Sequence, residues 1–451
     1  MESITQKLAD FISSFHLNNL ENEILKKIKI HILDTLAVAL KAADTFPVKA
    51  FLKAFPLNLK KGNIKVWGRD EKLNLFLSIM ANAIAAHTLE LDDVHREGKV
   101  HPGAVIVPTA LSLGEYLHSS GKEVLKAILA GYEIMIRIGI GIGAASHRPK
   151  GWHATATCGT FGSATTASIL LSLNSTEIVN ALGLAGTQSS GLWAFTADGS
   201  LSKKFHPARA AESGVLSAFL AKKGFSGPSM IIEADDGGLF RATSDDYNFE
   251  RILDGLGDNF KLLKTEIKPY ACCRSMHPAI EAALKLKGKI KIDLIDSIEV
   301  RIFSVAFKQC GFTNHPKNSV EAQFSLPYAV AVALIDGEAL IEQFSERRVN
   351  RSDVHNLAER VKLVIDNSYD NDYPEKWRSK VILHLLDGNK LSHEIEHAKG
   401  SPESPLTEKE IKNRFFSLAT SSIPERNAFK LRELIYNLEA VNDVNELTAL
   451  L

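Results

Sequence analysis

Cysteine is scarce in this 451-residue chain: there are four, Cys158, Cys272, Cys273 and Cys310, and no CxxC pair among them. That spacing offers no zinc ribbon, and an adjacent pair plus two distant single residues does not supply the three thiolates of an iron–sulfur cluster. Cys272 and Cys273 would bridge each other only with strained geometry, so free thiols in a reducing compartment are expected. An excess of either charge is missing too. Lys plus Arg and Asp plus Glu both total 53, which leaves no global field to attract nucleic acid or an anionic membrane. No apolar run approaches the roughly 20 residues of a membrane span, and the opening "MESITQKLADFISSFHL" lacks the basic start and unbroken apolar core of a secretory signal. A cytoplasmic protein is expected, with neither nucleic acid nor membrane as a partner. Internal repeats, low-complexity tracts and a GxGxxG phosphate loop are absent as well; "RIGIGIGAAS" spaces its glycines differently and ends a helical run.

What is present is ordinary globular material, 45% hydrophobic and 24% charged, enough to bury large cores. From residue 4 to residue 260 the apolar pattern has the helical period, as in "ILKKIKIHILDTLAVAL", "EVLKAILAGYEIMIRIGIGIG", "TEIVNALGLAG" and "PARAAESGVLSAFLAKKG", the last with Gly224 as a C-cap. Near residue 265 the period shortens. "DSIEVRIFS" alternates Ile298, Val300 and Ile302 with Glu299 and Arg301, and "VKLVID" and "SKVILHLLDGNKLSHEIE" add strands, with Asp387 and Gly388 as a hairpin turn. "FSLPYAVAVALIDGE" is a helix with Pro327 in its first turn and Gly337 at its end. After the turn-rich "AKGSPESPLTEKE", the stretches "EKEIKNRFFSLA" and "RNAFKLRELIYNLEAVNDVNELTALL" are helical again. The expected fold is mainly α with an α+β second domain: a helical domain over residues 1–263, an α+β domain over 264–399, and C-terminal helices over 400–451 that return to the first.

Residues able to do chemistry gather at the seams. "LELDDVHREGKVHPGAVIVP", residues 89–108, sets Asp92, Asp93, His95, Arg96, Lys99 and His101 between two apolar runs. Upstream, Leu73, Leu77, Met80, Ile84 and His87 fall at helical spacing, and Pro102 and Gly103 open another helix through Val105, Leu111 and Leu117. A loop anchored on two buried helices is a usual place for binding or catalytic groups, although a solvated connector has the same composition. "SHRPKGWHATATCGTFGSATTA" puts Trp152 and His153 ahead of a helix whose Gly159, Gly162 and Ala164 permit close approach of a helix or a ligand. "DGSLSKKFHPARAAESG" places Lys203, Lys204 and His206 at a helix start, where ammonium groups and free backbone N–H groups bind an anion together. "EIKPYACCRSMHPAIEAA" gives Lys268, Tyr270, Arg274 and His277, and "QFSLPYAV" adds Tyr328.

Each segment alone admits a structural role, with Asp92 and Asp93 as helix caps, His206 as a satisfied core group and the paired cysteines as packing. Together, cations and imidazoles beside helix starts suit a small polycarboxylate. Lys203, Lys268 and Arg274 would neutralise carboxylates and stabilise the enolate-like charge formed when a proton leaves the neighbouring carbon, and imidazoles move such a proton near neutral pH. No cofactor and no metal are expected.

Taken in order, "HTLELDDVHREGKVHPGAVIVP", "GWHATATCGTFGSA", "SKKFHPARAAESGVLSAFLA", "KPYACCRSMHPAI" and "FSLPYAVAVALIDGE" resemble consecutive motifs of the MmgE/PrpD family, and the similarity spans nearly the whole chain. That family includes 2-methylcitrate dehydratases, cis-aconitate decarboxylases and iminodisuccinate epimerases. The resemblance implies a homodimer, with a large helical domain, a smaller inserted α+β domain and the active site between them. It matches His101 to the family histidine before a proline, His153 to that of the "GWH" motif, Lys203 and Lys268 to two family lysines, Asp92 and Asp93 to the paired aspartates, and Tyr328 by position after "FSLP". The chain also departs from the pattern. Glu90 and Leu91 stand where the family often has an aspartate and an aromatic residue, Val94 where it often has a threonine, and Cys273 where a decarboxylase histidine falls.

These losses argue against decarboxylation and leave dehydration or epimerisation open; the first choice is a cofactor-independent carbon–oxygen lyase of the 2-methylcitrate dehydratase type. In that reading His101 and His153 are acid and base, Tyr328 protonates the leaving hydroxyl, and Asp92 or Asp93 orients an imidazole or cation. Lys203, Lys268, Arg274 and His277 hold the carboxylates. Epimerisation or decarboxylation of a related acid keeps the same site. Two further readings change the class: a metal-dependent hydrolase ligated by His87, Asp92, Asp93, His95 and His101, and a carboxylate-binding protein without catalysis.

Overall fold

The computed structural model describes residues 3–18 and 20–451. Its larger part is a pack of helices whose residues are apolar on nearly every side, the pattern of core helices rather than surface ones. Leu75–Thr88 begins where the Asn74 side chain accepts from the Leu77 N–H, and Gly103–Leu117 begins after Pro102. Leu73 lies outside the helix its spacing suggested and pairs with Ile64 in a short antiparallel ribbon. Ala154–Leu170 lies between Gly121–Ile142 and Ser202–Lys222. Its small residues set that approach: a Cβ at Gly162 would meet Met135 Cβ at 2.7 Å and the Gly131 carbonyl oxygen at 3.0 Å. The glycines of this helix therefore serve helix contact.

Beyond residue 264 the chain builds a four-stranded sheet in the order Val361–Ile365, Ile295–Ile302, Ser379–Leu385, Lys390–Ile395, parallel for the first pair and antiparallel for the others. Ile298, Val300 and Ile302 are buried as their alternation suggested, and the Asp387–Gly388 turn joins the last two strands, with Gly388 at φ 86°. The helices His277–Leu286 and Leu326–Asp336 pack together, the first of them also against the sheet. Gly337 closes the second in the left-handed region.

The tail returns to the first helices. Arg414, on Glu408–Ala419, donates from Nε to Asp34 Oδ1 at 2.6 Å and from Nη2 to the Leu91 carbonyl at 2.9 Å. The last stretch is not one helix: Glu425–Tyr436 ends at Asn437, and a short turn precedes Asn445–Thr448. The fold is thus mainly α with a smaller α+β region. Among the described residues, no helix is long and apolar enough to cross a membrane.

Candidate active site

The charged stretch that follows Thr88 is buried, which removes the reading of a solvated connector. Glu90, Asp92 and Asp93 are at most 1% exposed, and Val94–His95 pairs antiparallel with Thr265–Glu266, tying the loop to the second half of the chain. Asp93 is the anchor. Its Oδ1 accepts from the N–H of Gly103, the first residue of the next helix, and its Oδ2 accepts from the Tyr132 hydroxyl, both at 2.8 Å, with His31 Nδ1 2.9 Å away. A carboxylate at a helix N-terminus is favoured by the free N–H groups there. The backbone carbonyl of Asp93 then accepts from His101 Nδ1 at 2.8 Å.

That last bond assigns a tautomer, because a carbonyl oxygen can only accept. His101 carries its proton on Nδ1, with the Asp92 carboxylate 3.2 Å from the same nitrogen, and Nε2 keeps its lone pair. Burial lowers the His101 pKa below its ordinary value, Lys268 and Lys203 act in the same direction, and Asp92 opposes them. His101 lines a cleft together with Glu90, His153, Lys203 and Lys268.

Around it lies an inner charge cluster. His87 Nδ1 donates to Asp92 Oδ2 at 2.6 Å, and His87 Nε2 accepts from Lys203 Nζ at 2.8 Å, an arrangement that requires neutral imidazole. Burial pushes the His87 pKa down to about 3. Glu90 is the hub. Lys203 and Lys204 donate to its Oε1 at 2.5 and 2.8 Å, and Lys268 donates to its backbone carbonyl at 3.0 Å while lying 3.6 Å from Oε2. Burial alone would raise the Glu90 carboxyl; the three ammonium groups outweigh it and hold the group well below the usual range. Burial outweighs Glu90 at Lys203, whose pKa falls to about 8. Glu90 also adopts φ 53°, a left-handed backbone that a non-glycine residue holds only when its surroundings fix it, and such strain concentrates at functional sites. On the far side of His87, His153 sits at the N-cap of Ala154–Leu170 with its Nδ1 2.9 Å from that of His206, and burial keeps it neutral.

Several residues singled out from the sequence are placed otherwise. Tyr328 is buried away from the cleft and donates its hydroxyl to the Gln343 carbonyl at 2.6 Å, so it is no longer placed to protonate a leaving group. His277 does not line the cleft; its Nδ1 accepts from Arg274 Nη1 at 2.9 Å. Arg274 touches the cleft but spends its guanidinium on Glu266, His277 and the carbonyls of Lys399 and Ala398. Its role is to hold that segment, with little left for a substrate carboxylate. Asp93 acts through its anchoring of His101 and has no place on the cleft. His95 takes the Gly98 N–H on its Nδ1 and belongs to the turn. Cys272 is packed inside, but Cys273 lines the cleft, where the neighbouring Cys310 thiol lowers its pKa.

The remaining lining residues were not singled out for binding: Lys99, Arg148, Trp193, Ser275, Gln309, Phe324 and Trp377 among them. Lys99 and Arg148 lie inside quoted motifs, yet nothing in their spacing separates a cleft-facing cation from a solvated one.

His87, Asp92 and His101 place ligand-type atoms within 4.8 Å of one another. The atoms concerned are already committed: His101 Nδ1 is protonated toward a carbonyl, His87 Nδ1 toward Asp92, and Lys268 Nζ stands 3.7 Å from Asp92 Oδ1. An ammonium beside the carboxylate and two protonated nitrogens repel a cation, so these residues fit acid–base work better than metal ligation.

A helical pack carrying histidines, lysines and a buried carboxylate on one cleft, closed by residues from an α+β region, defines the class. The chain matches the MmgE/PrpD N-terminal domain over residues 6–252 and the MmgE/PrpD C-terminal domain over residues 270–440. It belongs to the MmgE/PrpD family and is an enzyme of that family. It is similar to the cis-aconitate decarboxylase of Aspergillus terreus, 27% identical over 99% of this chain and 96% of that one. The cis-aconitate decarboxylases of Mus musculus and Homo sapiens are 28% and 27% identical over 100% of this chain and 94% and 95% of theirs.

Proposed function

We propose that the protein is a cofactor-independent lyase acting on a small tricarboxylate, and that its chemical step is proton transfer at a carbon next to a carboxylate. The observation that carries this reading is His101: Nδ1 donates to the Asp93 carbonyl, so Nε2 is an uncharged base on the wall of a cleft that also presents the Lys203 and Lys268 ammonium groups. Lys203 and Lys268 stabilise the enolate-like charge. Lys203, protonated near neutral pH, takes over the role of proton donor that Tyr328 cannot fill.

Two outcomes share this step. In dehydration of a 2-methylcitrate-like hydroxy acid, His101 takes the proton, the C–O bond breaks, and the hydroxyl leaves as water with a proton from Lys203. The free base on the cleft favours this outcome, as do Val94, where the family often has a threonine, and Cys273, where a decarboxylase histidine falls. In decarboxylation of a cis-aconitate-like acid, the C–C bond to a carboxylate breaks and CO2 leaves. The bonding pair shifts the double bond, and the resulting enolate carbon takes one proton. The similarity to three cis-aconitate decarboxylases over almost the whole chain supports this second outcome. Incubation of the purified protein with 2-methylcitrate, citrate, cis-aconitate and iminodisuccinate, followed by mass detection, tests both. Loss of water or of CO2 from one of the tricarboxylates is expected; consumption of none overturns the proposal.

A further inference from the structure

Five cations line the cleft: Lys99, Arg148, Lys203, Lys268 and Arg274. Arg274 is held by Glu266, and the others divide into two groups. Lys203 and Lys268 share Glu90 with Lys204, and Lys268 also faces Asp92. The side chains of Lys99 and Arg148 have no carboxylate partner and no hydrogen bond among the described residues, although both line the cleft. Arg148 Nε is buried without a partner. Each instead rests on an aromatic face: the Arg148 guanidinium lies 3.9 Å from the Trp193 ring centroid and Lys99 Nζ 4.9 Å from that of Tyr373. An aromatic face holds a cation in place but supplies no countercharge, and a stacked guanidinium keeps its N–H groups in plane and open to a carboxylate.

The neighbouring groups extend the same chemistry. The Ser275 hydroxyl donates to Gln309 Oε1 at 3.0 Å, which leaves the Gln309 amide NH2 as a further donor on this wall. No Asp or Glu other than Glu90 lines the cleft among the described residues, and Glu90 belongs to the inner cluster. Lys99 is held at φ 51°, the second cleft residue after Glu90 in the left-handed region. Burial and the neighbouring Arg148 lower the Lys99 pKa to about 7, so an anion arriving between the two groups would draw Lys99 into its charged form and offset the cost of taking both out of water.

We propose that Lys99 and Arg148 form a second carboxylate subsite, which receives the carboxylate of the substrate remote from His101 and selects tricarboxylates over shorter diacids. This rests on the reading that the cleft takes a small polycarboxylate. Arg148 reaches the histidines only through Trp193, whose ring centroid is 3.9 Å from the Arg148 guanidinium and 5.3 Å from that of the His153 imidazole. The inner lysines would then serve the carboxylate at the reacting carbon, and the outer pair would fix which acid fits.

The test uses binding, so that it does not depend on turnover. Calorimetry of the full chain with propane-1,2,3-tricarboxylate, a saturated acid with no double bond or hydroxyl to react, is compared with succinate. Lys99→Met and Arg148→Met should each weaken tricarboxylate binding tenfold or more, on the order expected for a lost charge-assisted hydrogen bond, and should change succinate binding less than twofold. Arg148→Lys, which keeps the charge and removes the fork, should fall between, and circular dichroism checks the fold of each variant. Equal tricarboxylate affinity in folded variants and wild type, equal losses for both acids, or no tricarboxylate binding by the wild type overturns the subsite. Binding with the expected pattern but no lyase turnover retains the subsite and rejects the chemical reading.

Discussion

Tyr328 shows how far a single residue can be judged from its place in a motif. Its position after "FSLP" suggested an acid on the cleft, while the structure gives its hydroxyl to the Gln343 carbonyl inside the second region. Tyr328→Phe is therefore expected to leave kcat unchanged and to lower stability by about 0.5–1.5 kcal/mol, the net worth of one such hydrogen bond, measurable by urea unfolding. A loss of kcat without loss of stability would return Tyr328 to the chemistry. His101, His153, Lys203 and Lys268 were legible because each is a chemically able side chain beside a helix start or a proline. Lys99 and Arg148 were not, since their meaning lies in the missing counter-ion, which only the packed structure displays. Lys203 also sets a pH limit. With its pKa lowered to about 8 by burial, the ammonium that faces His87, Glu90 and the substrate is present below that value and lost above it. The kcat/KM of the wild type should fall as pH rises through about 8; a profile flat well beyond that point would remove Lys203 from the rate-determining charge.

At the scale of elements, the periodicities held best where one face or all faces of an element are buried. The helix through Leu77, Met80, Ile84 and His87 and the strand through Ile298, Val300 and Ile302 both follow from burial of their apolar residues. The final stretch, expected to be helical, breaks at Asn437 because the chain turns to place Gly121 N–H on the Val441 carbonyl and Val444 N–H on that of Ser119. Such tertiary bonds carry no local signal. The junction of the charged loop with Gly103–Leu117 is the element that holds the site. A Cβ on Gly103 would lie 2.3 Å from Thr35 Oγ1 and 2.8 Å from Asp93 Oδ1 and the Tyr132 hydroxyl. Gly103→Ala should cost about 1–3 kcal/mol of stability by overpacking and lower kcat as well, because Asp93 carries the carbonyl that holds His101. Thermal melting together with steady-state kinetics reads both, and an unaltered variant would mean that Asp93 does not position the imidazole.

For the whole molecule, buried neutral histidines link the site to acid stability. Burial lowers the pKa of His87 and His95 to about 3 and of His147 to about 4, whereas in the unfolded chain each takes a proton near 6.5. Between those values the unfolded state binds more protons, so stability present above pH ~6.5 is lost as pH falls, at about 1.4 kcal/mol per pH unit for each group. Burial raises the carboxyls of Asp34 and Glu133, which opposes the loss; Glu90 and Asp92, held low, add to it only below about pH 4.3, where the unfolded carboxyls take up protons. Melting temperature should therefore drop steadily from pH 7 to pH 5, and a constant value over that range would show that these imidazoles are charged in the folded state.

The most direct measurement follows deuterium. The wild-type protein and His101→Asn, incubated in D2O with cis-aconitate and with 2-methylcitrate, are compared by mass and NMR detection of product and recovered acid. The asparagine keeps most of the volume and some hydrogen bonding, but it cannot take up a proton. With the wild type, solvent deuterium is expected at the carbon next to a carboxylate in at least one acid, together with loss of water or CO2. With His101→Asn both should slow by roughly 10²–10⁴, the usual worth of a positioned acid or base, while propane-1,2,3-tricarboxylate still binds. Deuterium incorporation and product formation at the wild-type rate in His101→Asn would contradict the assignment of His101 as the group that moves the proton.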